Sequence, residues 1–312
     1  MILNSGTTHS VLWFGSLAKR RCMKKYFLYC LYVITVTSFF AYYLFPSDEV
    51  KKYITSKLNN ANPDYDITIG HIKPAFPPGL KFYDVNFFNR GNSVIRSEWL
   101  KISPDLLTIF RKEKTFSFRS RTGEGDLGGT FRLSDGSVRQ IVTDMELSGI
   151  HVESLGIIQS PDYKISGIVS GNVKYDTAGS DEMLNAKLSI SDCNIELIKS
   201  LSKLGILSSV IKPGPFAFNS VNTDISMSAD RKIEIRQFDA KGPQINGNVS
   251  GSITLKTPSD RSVLNIEANL RPHPPFIAAL GKGASLILKK KSGKEGFAFK
   301  IRGTFGRPRP SF

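Results

Sequence analysis

Cysteine is scarce in this chain: three in 312 residues, and only Cys193 lies beyond Cys30. A lone thiol leaves the downstream part no internal disulfide even in an oxidising compartment, so that part must fold by packing. Histidine is as sparse. His9, His71, His151 and His273 stand far apart, none at ligand spacing with another His or a Cys, so no metal and no cofactor is expected. Acidic side chains are missing from the first 45 residues, where Lys19, Arg20, Arg21, Lys24 and Lys25 stand alone. Setting those five aside from the net +15 leaves 37 basic against 27 acidic residues. That moderate surplus, spread along the chain, calls for no nucleic acid.

The apolar run bracketed by this charge pattern is Tyr26–Phe45, YFLYCLYVITVTSFFAYYLF, twenty residues without a carboxylate or an amine. At about 1.5 Å per residue it matches a hydrocarbon core of roughly 30 Å. Tyr26, Tyr29, Tyr42 and Tyr43 sit near its ends, as interfacial rings do. The alternative is a cleaved signal peptide, with a shorter apolar region and small residues before the cut. With Ala41 before the cut, Phe39 would hold a position that needs a small residue, so the run reads as an uncleaved anchor. The upstream cations place the N-terminus in the cytoplasm and Ser47–Phe312 across the membrane, which in a bacterium is the periplasm. Met23 followed by two lysines is an alternative start that leaves residues 1–22 without a role. The expected organisation is therefore a cytoplasmic segment over 1–25, a transmembrane helix over 26–45, an amphipathic linker helix over 46–60 and a periplasmic β-domain over 61–312.

The linker helix starts with an N-cap Ser47 and acids at Asp48 and Glu49, then places Val50, Ile54 and Leu58 four apart. Beyond it the period becomes two: Tyr65, Ile67 and Ile69; Leu80, Phe82 and, after a one-residue slip, Val85 and Phe87; Phe116 and Phe118; Phe131 and Leu133; Leu184 to Ile190; Val221 to Met227; Ile233 and Ile235; Ile266 to Leu270; Phe297 to Ile301. Such alternation predicts about a dozen strands, each with one apolar and one solvated face. Turn chemistry separates them, as in Asn89-Arg-Gly91-Asn and Ala229-Asp-Arg. The exception is 194–210, where Leu197, Ile198, Leu201, Leu204 and Leu207 recur at three and four before Pro213-Gly-Pro215, predicting a helix across the sheet; a shorter one is expected over Pro274–Leu280.

One internal repeat combines period, residue type and spacing. Ile165-Ser-Gly167-Ile-Val169-Ser-Gly171-Asn-Val173-Lys-Tyr175 aligns with Ile245-Asn-Gly247-Asn-Val249-Ser-Gly251-Ser-Ile253-Thr-Leu255, 80 residues on. In a strand each glycine pair joins the face of its Ile and Val neighbours, where it marks a bend or a close backbone approach. The readings are a curved sheet with a helix in its trough, or chance similarity; Leu127-Gly-Gly129-Thr-Phe131 and Ile301-Arg-Gly303-Thr-Phe305 echo the pattern and favour the first. Ile165, Val169, Val173, Ile245, Val249 and Ile253 are the candidate apolar groove.

Catalytic patterns are weak. Gly123-Glu-Gly125-Asp-Leu-Gly128 matches G-x-G-x-x-G, but Thr130-Phe-Arg-Leu133 reads as a strand where a dinucleotide site needs a helix, so a hairpin or bulge is expected. Ser200-Leu-Ser-Lys203 matches S-x-x-K without the companion motifs of penicillin-interacting enzymes. No catalytic residue is assigned.

The order of features, from the anchor exit at Phe45-Pro46-Ser-Asp through Ile69-Gly-His-Ile72-Lys-Pro74-Ala-Phe-Pro77-Pro-Gly79-Leu80-Lys-Phe82-Tyr-Asp84-Val85 and Ile102-Ser-Pro-Asp-Leu106-Leu-Thr-Ile-Phe110 to Gly303-Thr-Phe305-Gly-Arg-Pro308, resembles the type II secretion system protein N family and, more distantly, the AsmA-like envelope proteins. That resemblance implies a mainly β fold: a single transmembrane helix, then an elongated, curved antiparallel sheet in the manner of a half-pipe with one packed α-helix. It implies a non-enzymatic inner-membrane protein acting beside secretion-system inner-membrane subunits. The AsmA-like kinship implies instead binding or transfer of membrane lipids.

Overall fold

The computed structural model describes residues 12–61, 64–108, 110–134, 140–156, 163–177, 182–197, 215–279 and 296–311. The chain divides into two units, Met1–Glu49 and Val50–Phe312. In the first, helix α1 runs unbroken over Leu12–Tyr43, with no carboxylate in its first turn. Tyr26, Phe27, Leu28 and Ile34 on it are each more than 60% exposed. Among the described residues no helix is long and apolar enough to cross a membrane.

Helix α2, Ser47–Ala61, ends one residue beyond the predicted linker helix, and Asp48 and Glu49 in its first turn suit the positive end of the helix dipole. It serves the sheet by covering an edge. The Asn59 side-chain amide acts as a substitute strand: its Oδ1 accepts from Ile67 N at 2.9 Å, while its Nδ2 donates to the Asp66 carboxylate and to Ile67 O. Lys51 Nζ donates to Gly70 O at 2.7 Å. An unpaired strand edge invites pairing with other chains, and α2 occupies this one.

Among its described residues the second unit holds one antiparallel sheet of fifteen strands that does not close. The strands are β1 (Tyr65–Thr68), β2 (His71–Ala75), β3 (Gly79–Asn89), β4 (Asn92–Pro104), β5 (Glu113–Thr122), β6 (Gly125–Ser134), β7 (Gln140–His151), β8 (Tyr163–Asp176), β9 (Glu182–Leu197), β10 (Pro215–Ser228), β11 (Lys232–Lys241), β12 (Ile245–Thr254), β13 (Val263–Pro272), β14 (Phe297–Thr304) and β15 (Arg307–Ser311). From β3 onward each strand pairs with its neighbours in sequence, while β1 and β2 lie end to end along β3, from Tyr65↔Asn89 to Ala75↔Gly79. The slip predicted in β3 falls at Asp84, whose φ of 51° turns the strand while the ladder against β4 passes from Tyr83↔Trp99 to Val85↔Ser97.

Two expectations change. Apart from Ile69, which lies just past β1, the alternating residues lie in strands, but β2, β4, β7 and β15 raise the count above the predicted dozen. The helix expected from Asn194 does not begin there: Asn194–Leu197 close strand β9, paired with β8 and β10. Cys193, Ile195 and Leu197 still alternate with period two, and ladders on both sides outweigh the helical spacing that starts at Leu197. The rest of that predicted helix lies outside the described residues. The shorter one forms over Pro274–Ala279.

Candidate functional site

Antiparallel pairing puts directly opposed residues on the same face, so the registers can be followed from strand to strand. One row crosses β2 to β15 without a break: Pro74, Leu80, Ile102, Phe118, Gly129, Met145, Val173, Ala186, Ile225, Ile235, Gly251, Ile266, Ile301, Pro310. Every member is apolar, glycine or proline. Of the fourteen only Ala186 is fully buried; the others keep part of their surface exposed. An antiparallel sheet ordinarily packs such a face against another layer. Here the described residues cover it only in part.

The row beside it, one residue along each strand, has the opposite character. Lys73, Lys81, Lys101 and Arg119 stand opposite one another on β2 to β5, followed by Gly128, Glu146, Asn172, Lys187, Asp224 and Gln237 on β6 to β11. On the later strands opposite charges meet: Lys187 Nζ lies 3.5 Å from Asp224, and on β13 and β14 Glu267 accepts from Lys300 at 2.5 Å. That hydrogen bond, with the charge of Lys300, holds the Glu267 carboxyl below its usual range. A cavity of about 380 Å³ opens on this face among Trp99, Arg119, Asp126 and Glu146.

The six predicted groove residues fall on strands β8 and β12, with β9, β10 and β11 between them. The registers bring them to one face. Val173 reaches Gly251, the residue between Val249 and Ile253 on their side of β12, through Ala186, Ile225 and Ile235. Val169 is 3% exposed and packs with Ile150 and Val152, so it serves as core; Ile165 packs partly against the same cluster. Ile225, Ile235 and Ile266 join the face without having been singled out. Alternation had marked each as strand, and only the register was lacking.

The repeat acquires a physical meaning. Gly171 and Gly251 have φ of 152° and 135°, which side-chain-bearing residues rarely adopt. A Cβ on Gly171 would lie 2.1 Å from Lys187 O, and one on Gly251 would lie 2.2 Å from Asn265 O. Both glycines thus let the following strand, β9 or β13, approach closely. Gly129, in the fainter echo, has the same relation to Asp144 O, at 2.1 Å.

A second apolar cluster packs Cys193, Val221 and Ala240 with Ile195, Phe218 and Phe238. Burial pushes the Cys193 thiol pKa up. On the same face Thr223 Oγ1, on the residue opposite both Leu188 and Phe238, is buried and makes no hydrogen bond with the described residues.

The other sequence patterns resolve structurally. Gly123 and Glu124, with φ of 53° and 67°, form the two-residue turn between β5 and β6, so the G-x-G-x-x-G match is a hairpin. His71 stacks on Tyr83 with ring centroids 4.3 Å apart. Among the described residues no group of three or more His, Cys, Asp or Glu could hold a metal ion. Ser200 and Lys203, like His9, lie outside the described residues.

Compared with known proteins, the chain matches no family model, no curated protein and no solved structure.

Proposed function

We propose that this chain is a membrane-anchored lipid-binding protein in which the fourteen-member apolar row, curved into a trough, receives acyl chains. The single observation that carries this reading is that row: unbroken from Pro74 to Pro310, yet covered only in part by the described residues. Apolar surface of that extent is costly in water and ordinarily marks a binding surface. At roughly 25 cal/mol per Å² of apolar area withdrawn from water, an acyl chain laid along part of it is held by several kcal/mol. The charged row on the other face keeps the sheet solvated and excludes acyl chains there. No bond is made or broken in this function, and no residue is assigned a catalytic role.

The anchor in this reading is the uncharged stretch 26–45, which the sequence supports. No described helix by itself is long and apolar enough to cross, but cations precede the stretch, α1 is helical through it as far as Tyr43, and Tyr26, Phe27, Leu28 and Ile34 stand exposed. The reading places the protein in a bacterial inner membrane with the N-terminus cytoplasmic and the sheet periplasmic. Action by protein contacts beside a type II secretion assembly draws support from the sequence resemblance alone.

The test is to purify the full chain in a detergent free of phospholipid, exchange it extensively, and analyse an organic extract by mass spectrometry. Phospholipid retained in a fixed ratio to protein is the expected result. Retention no greater than for an unrelated single-span protein overturns the lipid reading. A reporter fused after Phe312 that is active only in the cytoplasm overturns the orientation.

A further inference from the structure

One end of the sheet presents a second, differently built surface. The turn joining β2 to β3 and the loop joining β4 to β5 emerge side by side there, because Ala75 faces Gly79, Leu80 faces Ile102 and Pro104 faces Phe116. Lys101 Nζ ties the two together by donating to Phe76 O at 2.7 Å. The large side chains on these loops point away from the protein: Phe76 is 90% exposed, Leu107 79% and Phe110 95%, with Leu106 at 53%.

Hydrogen bonds hold the described part of the loop joining β4 to β5. Leu107 N donates to Asp105 Oδ1 at 3.0 Å, Thr108 N to Asp105 O at 2.9 Å, Arg111 N to Thr108 O at 2.9 Å and Thr115 N to Thr108 Oγ1 at 3.0 Å. Asp105 and Thr108 spend their hydrogen bonds on holding the backbone, which leaves the apolar side chains displayed.

About two residues behind this tip, or roughly 7 Å along the strands, lies the cationic row Lys73, Lys81, Lys101 and Arg119. Like charges placed directly opposite in a ladder destabilise it. The aromatic rings beside them offset only part of that cost: Lys81 Nζ lies 4.4 Å from the Trp99 ring centroid and 4.9 Å from that of Tyr83. Packing therefore gives no reason for four cations in register, whereas an anionic surface does.

We propose that this end is a bilayer-docking tip: Phe76, Leu106, Leu107 and Phe110 enter the boundary between headgroups and acyl chains, and the cationic row behind them engages the phosphates of anionic lipids. Apolar groups inserted to that depth with cations at headgroup level is the pattern of interfacial membrane binding. The inference rests on the anchored reading, which supplies the bilayer, and is independent of lipid on the apolar row.

The experiment uses the full chain with Cys22, Cys30 and Cys193 replaced by alanine, reconstituted in vesicles of phosphatidylcholine and phosphatidylglycerol. An environment-sensitive fluorophore is attached at Phe110→Cys or, for comparison, at Asn92→Cys at the opposite end of β4. A blue-shifted emission quenched by nitroxide-bearing lipid is expected at position 110 and not at 92. The ratio of docked to undocked tip should fall about fivefold for each of Lys101→Gln and Arg119→Gln, and should fall likewise in phosphatidylcholine alone. Equal, aqueous emission at both positions in vesicles that carry the chain overturns the proposal and leaves the anchor standing. A chain that fails to float with vesicles overturns both. Shielding of position 110 in native membranes but not in vesicles assigns the tip to a protein partner and overturns the bilayer assignment, whereas docking indifferent to phosphatidylglycerol overturns the role given to the cationic row.

Discussion

The two faces of the sheet are made from alternate residues of the same strands and behave as different materials. Along one face, Val173, Ile225 and Ile235 continue a row with no charged member from β2 to β15. One residue away, Asn172, Lys187 and Asp224 continue a row of polar and charged residues whose charges are, on the later strands, paired. A two-sided polar sheet would need no ligand, and a two-sided apolar one would not stay soluble. Among the described residues the apolar face is only partly covered, which is the observation behind the lipid-binding proposal. The difference also explains where glycine is needed. Gly171 and Gly251 lie in the apolar face, where crowding by the adjacent backbone leaves no room for a side chain.

The largest effect should come from breaking that crowding. Gly171→Val and Gly251→Val place a branched side chain against a neighbouring carbonyl at a φ it cannot adopt, and each should cost about 3 kcal/mol or more in denaturant unfolding of the full chain. Gly247 provides the contrast. Its added Cβ meets the flexible end of Leu270 at 2.9 Å and its φ is not positive, so Gly247→Ala should cost less than about 1 kcal/mol.

Next comes the exchange of character between the faces. Ile225→Lys puts an ammonium into the apolar row and should abolish retained phospholipid. Asn172→Lys adds the same charge to the polar row and should leave retention unchanged, as measured by lipid phosphate per chain. Equal losses would mean that the faces do not differ in the way proposed.

The buried thiol gives a smaller effect with a definite sign. Because burial raises the Cys193 pKa, the neutral thiol is favoured in the folded chain. Its contribution to stability is full below the ordinary thiol pKa and is lost as pH rises through the raised one. The unfolding midpoint should therefore drop more between pH 7 and pH 10 for the native sequence than for Cys193→Ala, and maleimide should label Cys193 only after denaturation. Smallest of all is the polar pair on β13 and β14. Lys300→Ala should raise the Glu267 titration midpoint toward the usual carboxylate range, read by NMR. The depressed pKa favours the folded state above the usual range, and the benefit disappears as pH falls through the lowered value. Exposure and salt screening keep the effect on stability slight.

Much of this was legible in the sequence for identifiable reasons. Period-two alternation at Leu184 to Ile190 or Val221 to Met227 marks strands because only one face is apolar, and Asn89-Arg-Gly91-Asn marks a two-residue turn because the backbone there must turn back on itself. The glycine repeat was readable as a site of close approach. Short β2 and the proline-bearing β15 were not, since HIKPA and RPRPS carry too little alternation. Asn194–Leu197 misled because Leu197 belongs to both a period-two and a helical pattern. The apolar row itself was illegible. Its continuity depends on registers that shift at the irregularities between Asp224 and Ile225 and between Ile235 and Asp239, and no residue in the sequence announces how a bulge will settle.

The central claim is tested most directly by placing a photo-reactive benzoylphenylalanine at Val173 or, in a separate chain, at its neighbour Asn172, irradiating in native membranes and identifying adducts by mass spectrometry. Phospholipid adducts at position 173 and none at 172 are the expected result. Lipid at both positions, or at neither, would contradict the claim that one face of this sheet is built to hold lipid.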